Sequence, residues 1–509
     1  MITISIFVSI AYVFIFISRL STALECESWA RDKTDRIFVL TDIANEPDDT
    51  MSLIRLLTHS DMYQVEGLVA VTSFWLPNAT FPERIQTLVD AYGAVYDNLQ
   101  SHSNNTFPTA EYLTSKVSTG PTTYGKQALL NLQKGGNLTV GAQLLIDAVD
   151  ASDEPLYVQG WGGINTLATA LWSVNRTRSA DDLRAFTSKI RVYTISDQDD
   201  TGPWIRYNFP DMRYVATRAG MSQYSTAAWT GISNKGADPG GPNSEVISQD
   251  WLTANIQLGP LGALYPDVLY IMEGDTPSLL FNMQNGLGNA EYPSWGGWGG
   301  RYSPIEAGTY AQYGDAADAV LGLNGKSYDT NHATIWRWRE EFQHEFAARM
   351  QWTLAPNDPS SNAPSSNTTH PPVVVVNDSC SSEALELNVN VGDSIVLDAS
   401  ASWSPDAGAT LNFTWFQYIE PSSVSTGAVP KLNITQVSGS EGSAVEFKIP
   451  PPIAGFCVPD EEATQFGSYG EAQKCLTLHV VVAVHDTARK NAMTRYRRVL
   501  LKLRPYAGM

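Results

Sequence analysis

Cysteine is scarce: the chain has four in 509 residues. That excludes a small disulfide-stapled scaffold, and without any Cys/His spacing of the zinc-binding kind it gives no zinc site either. Basic residues are also few, 33 Lys and Arg against 53 Asp and Glu, for a formal net charge of −20. A surface of that sign repels phosphate backbones, so nucleic acid is not an expected partner. Internal repeats are absent. Apolar runs of spanning length are absent after residue 18. The one early run, residues 2–18, is uncharged and is followed by the small-x-small pattern Ser21-Thr22-Ala23. Residues 1–23 therefore read as a secretory signal peptide. The alternative is an uncleaved anchor, because the run is nearly long enough to span a bilayer and lacks a basic flank. After removal of the signal, no membrane association is expected.

What is present fits an extracellular globular protein of two or more domains. Sequons occur at Asn78, Asn104, Asn137, Asn175, Asn367, Asn377, Asn412 and Asn433, which suggests several glycans on exposed loops. Three of the cysteines, Cys380, Cys457 and Cys475, lie late in the chain, and Cys26 lies near the mature N-terminus. A Cys457–Cys475 bridge is the simplest pairing, although spacing alone does not decide connectivity.

Residues 33–352 alternate apolar strand patterns (Ile37–Leu40, Val65–Val71, Leu156–Val158, Ile190–Ile195, Val268–Met272) with helical ones (Met51–Leu57, Ile85–Tyr96, and a stretch through Leu167 and Leu171). Continuous apolar strands between helices predict an α/β domain with an open, mostly parallel sheet and helices on both faces. Ile335, Trp338, Phe342, Phe346 and Met350 predict a long closing helix. Residues 353–372, rich in Pro, Ser and Asn, read as a linker. Residues 373–509 carry only short strand patterns between turn residues, which predicts an all-β sandwich of immunoglobulin-like type.

The acidic residues of the first domain fall just past predicted strands. Asp42 follows the first and is trailed by Glu46, Asp48 and Asp49. Asp197, Asp199 and Asp200 follow Ile190–Ile195, and Asp275 follows Val268–Met272. In an open parallel sheet the C-terminal strand ends line one crevice. Carboxylates gathered there repel unless a cation neutralises them, and a set of hard oxygen ligands points to Ca²⁺ or Mg²⁺, with Ca²⁺ favoured. Taken singly, each has an ordinary explanation. Asp48-Asp49 suits the negative first turn of a helix, Asp275 a turn before another helix, and Asp197–Asp200 a polar loop.

Asp42 followed by Asp48-Asp49 after a short strand resembles the acidic fingerprint of nucleoside hydrolases. The segments Thr41–Asp49, Gly160–Thr166, Ser196–Asp200 and Trp295–Tyr302 together resemble a group named for cellulose binding, in which a nucleoside-hydrolase-like domain precedes a C-terminal β-sandwich. The resemblance implies a calcium site formed by the carboxylates of Asp42, Asp49 and Asp275 and the main-chain carbonyl of Trp161. It also implies sugar contacts from Asp48 and Asn208, with Asp42 as the catalytic base. Two departures stand out. The spacer between Asp42 and Asp48 is two residues longer than in nucleoside hydrolases, and Gly274 stands where many of them carry a histidine.

Trp75, Trp161, Trp204, Trp295 and Trp298 lie at predicted strand ends or in glycine-rich loops, where indoles could pack on sugar rings; core packing is the alternative. Of these, Trp161, Trp204 and Trp298 are read as substrate contacts, the Trp298 loop folding over the crevice. Asp197, Asp199 and Glu273 are candidates for the acid that protonates a leaving group. The expected function is a secreted, calcium-dependent hydrolase of a glycosyl bond, with a carbohydrate or glycoside as ligand. A non-catalytic carbohydrate-binding protein is the first alternative and a true nucleoside hydrolase the second.

Overall fold

A computed structural model describes residues 34–103, 106–217, 221–305, 311–355, 368–422, 429–450 and 476–504. An eight-stranded sheet organises the first part of the chain. Its strands are β1 (Asp35–Thr41), β2 (Tyr63–Ala70), β3 (Val117–Thr119), β4 (Leu156–Gly160), β5 (Ile190–Thr194), β6 (Arg213–Ala216), β7 (Tyr302–Pro304) and β8 (Gln312–Asp315), in the order β3-β2-β1-β4-β5-β6-β8-β7. Every neighbouring pair is parallel except β7 with β8.

Both faces are covered, as the uninterrupted apolar strands require. Ile37 and Val39 point into one core with the helices Pro47–Thr58, Pro82–Gly93 and Arg339–Trp352. Phe38 and Leu40 point into the other, with the helices Val140–Asp150 and Asn165–Thr177. The alternation is the two-residue period of a strand acting on a segment that has no solvent face.

Val268–Met272 is not a strand. The segment is irregular, with Leu269 and Tyr270 exposed and only Met272 fully in the core. The sheet position beside β6 is taken instead by β8. The predicted closing helix is broken at Arg337-Trp338 into Ala333–Trp336 and Arg339–Trp352.

The C-terminal part holds a four-stranded sheet (in order Leu385–Val389, Thr494–Leu503, Thr477–Asp486, Leu411–Tyr418) and a three-stranded one (Ser394–Asp398, Ala444–Lys448, Thr435–Gln436). Both are antiparallel apart from the pairing of Leu385–Val389 with Thr494–Leu503. Val, Leu and Phe side chains from the two sheets share a core. The proposed Cys457–Cys475 bridge lies outside the described residues; Cys380 is disulfide-bonded. Among the described residues no helix is long and apolar enough to cross a membrane.

The Trp-Gly-Gly-Trp-Gly-Gly run is buried between the two parts. The Trp298 indole N–H donates to the Tyr496 hydroxyl at 3.1 Å and its ring meets Phe342 edge-on. The Arg498 guanidinium donates to the carbonyls of Leu287, Trp295 and Gly296. Glycine suits this seam because backbone lies against its neighbours. A Cβ at Gly299 would stand 2.2 Å from the Phe281 nitrogen, and one at Gly296, where φ is +74°, 2.4 Å from the Tyr418 hydroxyl. The loop therefore seals two domains together and does not fold over the crevice.

Candidate metal centre

The C-terminal ends of β1, β4 and β5 open on one small hollow of about 120 Å³, lined among others by Asp42, Asn45, Glu46, Asp48, Asp49, Trp75, Trp161, Gln198, Tyr224, Trp229, Gly274 and Asp275. Each strand delivers its residues by simple extension. β1 ends at Thr41, and the turn that follows is closed by Asn45 N donating to the Asp42 carbonyl at 3.1 Å, with Ala44 in the left-handed region at φ +85°. That turn carries Asn45 and Glu46 to the rim. The helix Pro47–Thr58 then begins with proline at its first position and presents Asp48 and Asp49 in its first turn, where the helix dipole favours negative charge. Asp275 arrives from the opposite side, immediately before the short helix Thr276–Phe281.

Oxygen atoms of Asp48, Asp49 and Asp275 come within 4.8 Å of one another, and all three residues are buried. Asp42 stands beside this triad. Its Oδ2 accepts from Ser73 Oγ at 2.5 Å, while Asp49 accepts from Thr41 Oγ1. One oxygen of Asp275, Oδ2, is buried with no hydrogen-bond partner among the described residues.

Burial pushes all four carboxyls up. Asp42 is raised to about 6, with Ser73 opposing the shift and Glu46 adding to it. Asp48 is raised to about 7 by burial and then by the charges of Glu46 and Asp42. Asp49 and Asp275 are raised well above the carboxylate range by burial, then by their acidic neighbours. Crowded, buried and partly unpartnered oxygens are poor material for a metal-free protein and good material for a hard divalent cation. The donor set fits such an ion.

The other predicted site residues separate into those at the hollow and those elsewhere. Trp161 is fully buried in its wall, and its carbonyl accepts from the Gln198 side chain. Asn208 lies at the far end of the helix Thr201–Asn208, exposed and bonded to the Trp204 carbonyl at 2.8 Å. Trp204, on the same helix, packs edge-on against Phe209. Neither lines the hollow, because the helix runs back from the strand ends toward the start of β6. Trp298 is in the interdomain seam.

The expected leaving-group acids are all committed to structure. Asp197 pairs with Arg206 at 2.6 Å. Asp199 accepts from the backbone N–H of Asn165 at 3.0 Å and of Thr201 at 2.8 Å, capping two helices at once. Their neighbour Asp200, not one of those candidates, accepts from Lys126 N. Glu273 is buried against Arg55, at 2.5 Å, and accepts from Tyr265 and Thr276. From these runs the hollow receives instead Gln198 and Gly274. Glu46, which does line it, sits within the longer spacer that distinguishes this chain, and burial raises its carboxyl.

The model described as cellulose-binding Sde182, nucleoside hydrolase-like domain, matches residues 36–302, and that of cellulose-binding protein Sde0182, C-terminal domain, matches residues 394–503. The chain belongs to the cellulose-binding Sde182 family. A solved structure of a nucleoside hydrolase-related hypothetical protein from Saccharophagus degradans, associated with carbohydrate metabolism, is 30% identical at a TM-score of 0.72, covering 93% of this chain and 100% of that one. An inosine-uridine preferring nucleoside hydrolase from Bacillus anthracis is more distant, at 14% identity and a TM-score of 0.32, covering 63% of this chain and 100% of that one. Comparison with curated proteins finds no match.

In this Sde182 family member Gly274 is fixed by its surroundings. A Cβ there would lie 2.5 Å from Asp48 Oδ2 and 3.3 Å from the Trp229 ring. No side chain fits without displacing an acid of the triad. Gly274→Ala should weaken divalent-cation binding roughly tenfold to a hundredfold, the usual effect of disturbing a ligand's support. Calorimetric titration with Ca²⁺ checks this; unchanged affinity would mean that Asp48 does not hold the ion.

Proposed function

We propose that this protein is a secreted, calcium-dependent hydrolase that cleaves a glycosyl bond of a carbohydrate or glycoside. The observation that carries the reading is the buried Asp48–Asp49–Asp275 triad, flanked by Asp42 and Glu46 around a hollow of one-sugar size. Ca²⁺ would be held by the triad together with the Asp42 side of the hollow and the Trp161 carbonyl, and when bound it supplies a grip on vicinal hydroxyls and acidifies a coordinated water.

The chain's own groups do the rest. Asp42 takes a proton from the attacking water at Oδ1, the oxygen that Ser73 does not hold. The water oxygen bonds to the anomeric carbon as the bond to the leaving group breaks, and the surrounding carboxylates favour positive charge on the sugar. Glu46 gives its proton to the departing oxygen. Secretion is supported by the six described sequon asparagines, Asn78, Asn137, Asn175, Asn377, Asn412 and Asn433, all of which are exposed.

The test is turnover of oligosaccharides and of nitrophenyl glycosides with Ca²⁺ and with chelator. Asp42→Ala should lower kcat by at least ~100-fold, the scale of losing a general base. Glu46→Gln should abolish oligosaccharide cleavage yet spare a nitrophenyl glycoside, whose leaving group needs no proton. If Glu46→Gln slows both equally, the acid role is wrong.

A second reading, a non-catalytic carbohydrate-binding protein, is favoured by the structural commitment of Asp197, Asp199 and Glu273 and by the cellulose-binding name of the family. Calcium-dependent binding of saccharides with no product from any substrate would establish it. Release of free base from inosine or uridine would establish the nucleoside hydrolase alternative.

A further inference from the structure

The rim of the hollow carries aromatic surface that the reading above leaves unused. Phe74 and Trp75 are 47% and 49% exposed, side by side at the end of the segment that follows β2. Their rings meet edge to face at 5.0 Å. Trp75 lies 6.5 Å from Tyr224, and Tyr224 lies 6.2 Å from Trp229, so an aromatic row runs from open solvent into the pocket wall. Trp75, Tyr224 and Trp229 line the hollow; Phe74 lies beyond it.

This row is held firmly. Ser73 N donates to the Leu76 carbonyl and Ser73 Oγ accepts from the backbone N–H of Trp75 and of Leu76, each at 3.0 Å. Phe74 N donates to the Gln198 carbonyl at 2.6 Å. The same Ser73 hydroxyl donates to Asp42. One serine therefore fixes both the turn that displays the aromatics and the carboxylate at the pocket floor. Two large rings exposed side by side on one hydrogen-bonded turn form a patch of the kind that binds ligands.

The indole nitrogens of Trp161 and Trp229, two of the residues that line the hollow, are buried with no hydrogen-bond partner among the described residues. The hollow is small, about 120 Å³, and buried carboxylates line it, so it takes at most one ring.

We infer that the ligand is the end of a neutral saccharide chain: the terminal ring enters the hollow and the next ring stacks on Phe74 and Trp75. A chain passing through mid-length has no exit past the aspartates. This inference rests on the sugar reading of the site and adds to it a second subsite and an end-on mode.

Calorimetry on the full-length protein with saturating Ca²⁺ tests it, using glucose, cellobiose, cellotetraose and cellohexaose as probes. Cellobiose should bind about tenfold more tightly than glucose, the scale of one added stacking contact. Longer chains should add little per mole. Phe74→Ala should cut the cellobiose-to-glucose affinity ratio about threefold and Trp75→Ala should bring it close to one, with unchanged unfolding temperature as the folding control. Glucose binding with no gain for cellobiose overturns the second subsite while leaving the sugar reading intact. Affinity that climbs steadily to cellohexaose overturns the end-on mode. Failure of every probe to bind, with or without Ca²⁺, overturns the sugar reading and the subsite together.

Discussion

Stripped of divalent cations, the protein should be less stable at pH 7.5 than at pH 5, and Ca²⁺ should reverse that order. The sign follows from the direction of the shifts. Asp42 and Asp48 are raised to about 6 and about 7 in the folded chain, and Asp49 and Asp275 are raised further. In the unfolded chain the same groups ionise near the ordinary aspartate value. Between those limits the folded state binds more protons, so stability falls as pH rises. Each proton held costs about 1.4 kcal/mol per pH unit. Two such protons held across that interval give a loss of about 7 kcal/mol between pH 5 and pH 7.5. A bound cation takes the place of those protons and restores the stability.

Thermal unfolding at the two pH values, with chelator and with Ca²⁺, measures this directly. Asp275→Asn removes one charge from the cluster, so it should stabilise the metal-free protein at pH 7.5 and abolish the response to Ca²⁺. Coincident unfolding curves for the unsubstituted protein at pH 7.5 with and without Ca²⁺ would rule out the cation site.

The parts of this site that could be read from the sequence are those that depend on topology alone. A parallel sheet places every strand end on one edge, so Asp42, Trp161 and the Asp48-Asp49 pair had to converge once β1 and β4 were recognised. Asp275 reached the same edge for a different reason. The segment before it is irregular, and its acid is delivered by a turn with Glu273 at φ +55° before the helix Thr276–Phe281.

What could not be read is the partner each polar group would find. Asp197, Asp199 and Glu273 are indistinguishable by type from catalytic acids, yet Arg206 claims the first, the starts of two helices the second, and Arg55, more than two hundred residues away, the third. Trp298 misled for a related reason. Its neighbouring glycines suggested a loop in solvent, but the second domain's strand Thr494–Leu503 packs directly on them. Glu46 had a signal, since the spacer that carries it is the chain's clearest departure from nucleoside hydrolases.

Glu345→Ala should cost about 3–5 kcal/mol, the range for removing one partner of a buried ion pair. Glu345, on the helix Arg339–Trp352, receives Arg495 of the sandwich through two bonds, at 2.6 and 3.1 Å, and Arg349 of its own helix at 3.2 Å. Arg349 continues to Asp61 at 2.7 Å. The side chains of all four are at most 2% exposed. Burial alone would raise the Glu345 carboxyl, but Arg495 and then Arg349 hold it below the usual value. Removing it leaves Arg495 without its carboxylate and Arg349 with Asp61 alone. Because the network spans both domains, the loss should lower a single unfolding transition as a whole. Arg495→Met alone should be costly too, since it leaves Glu345 with Arg349 only. Combined with Glu345→Ala it should cost less than the sum, because the two changes delete the same pair. Scanning calorimetry of the single and double variants decides the matter. A drop confined to one of two separate transitions would show that the sandwich unfolds independently and that this buried network does not couple it to the sheet that bears the aspartates.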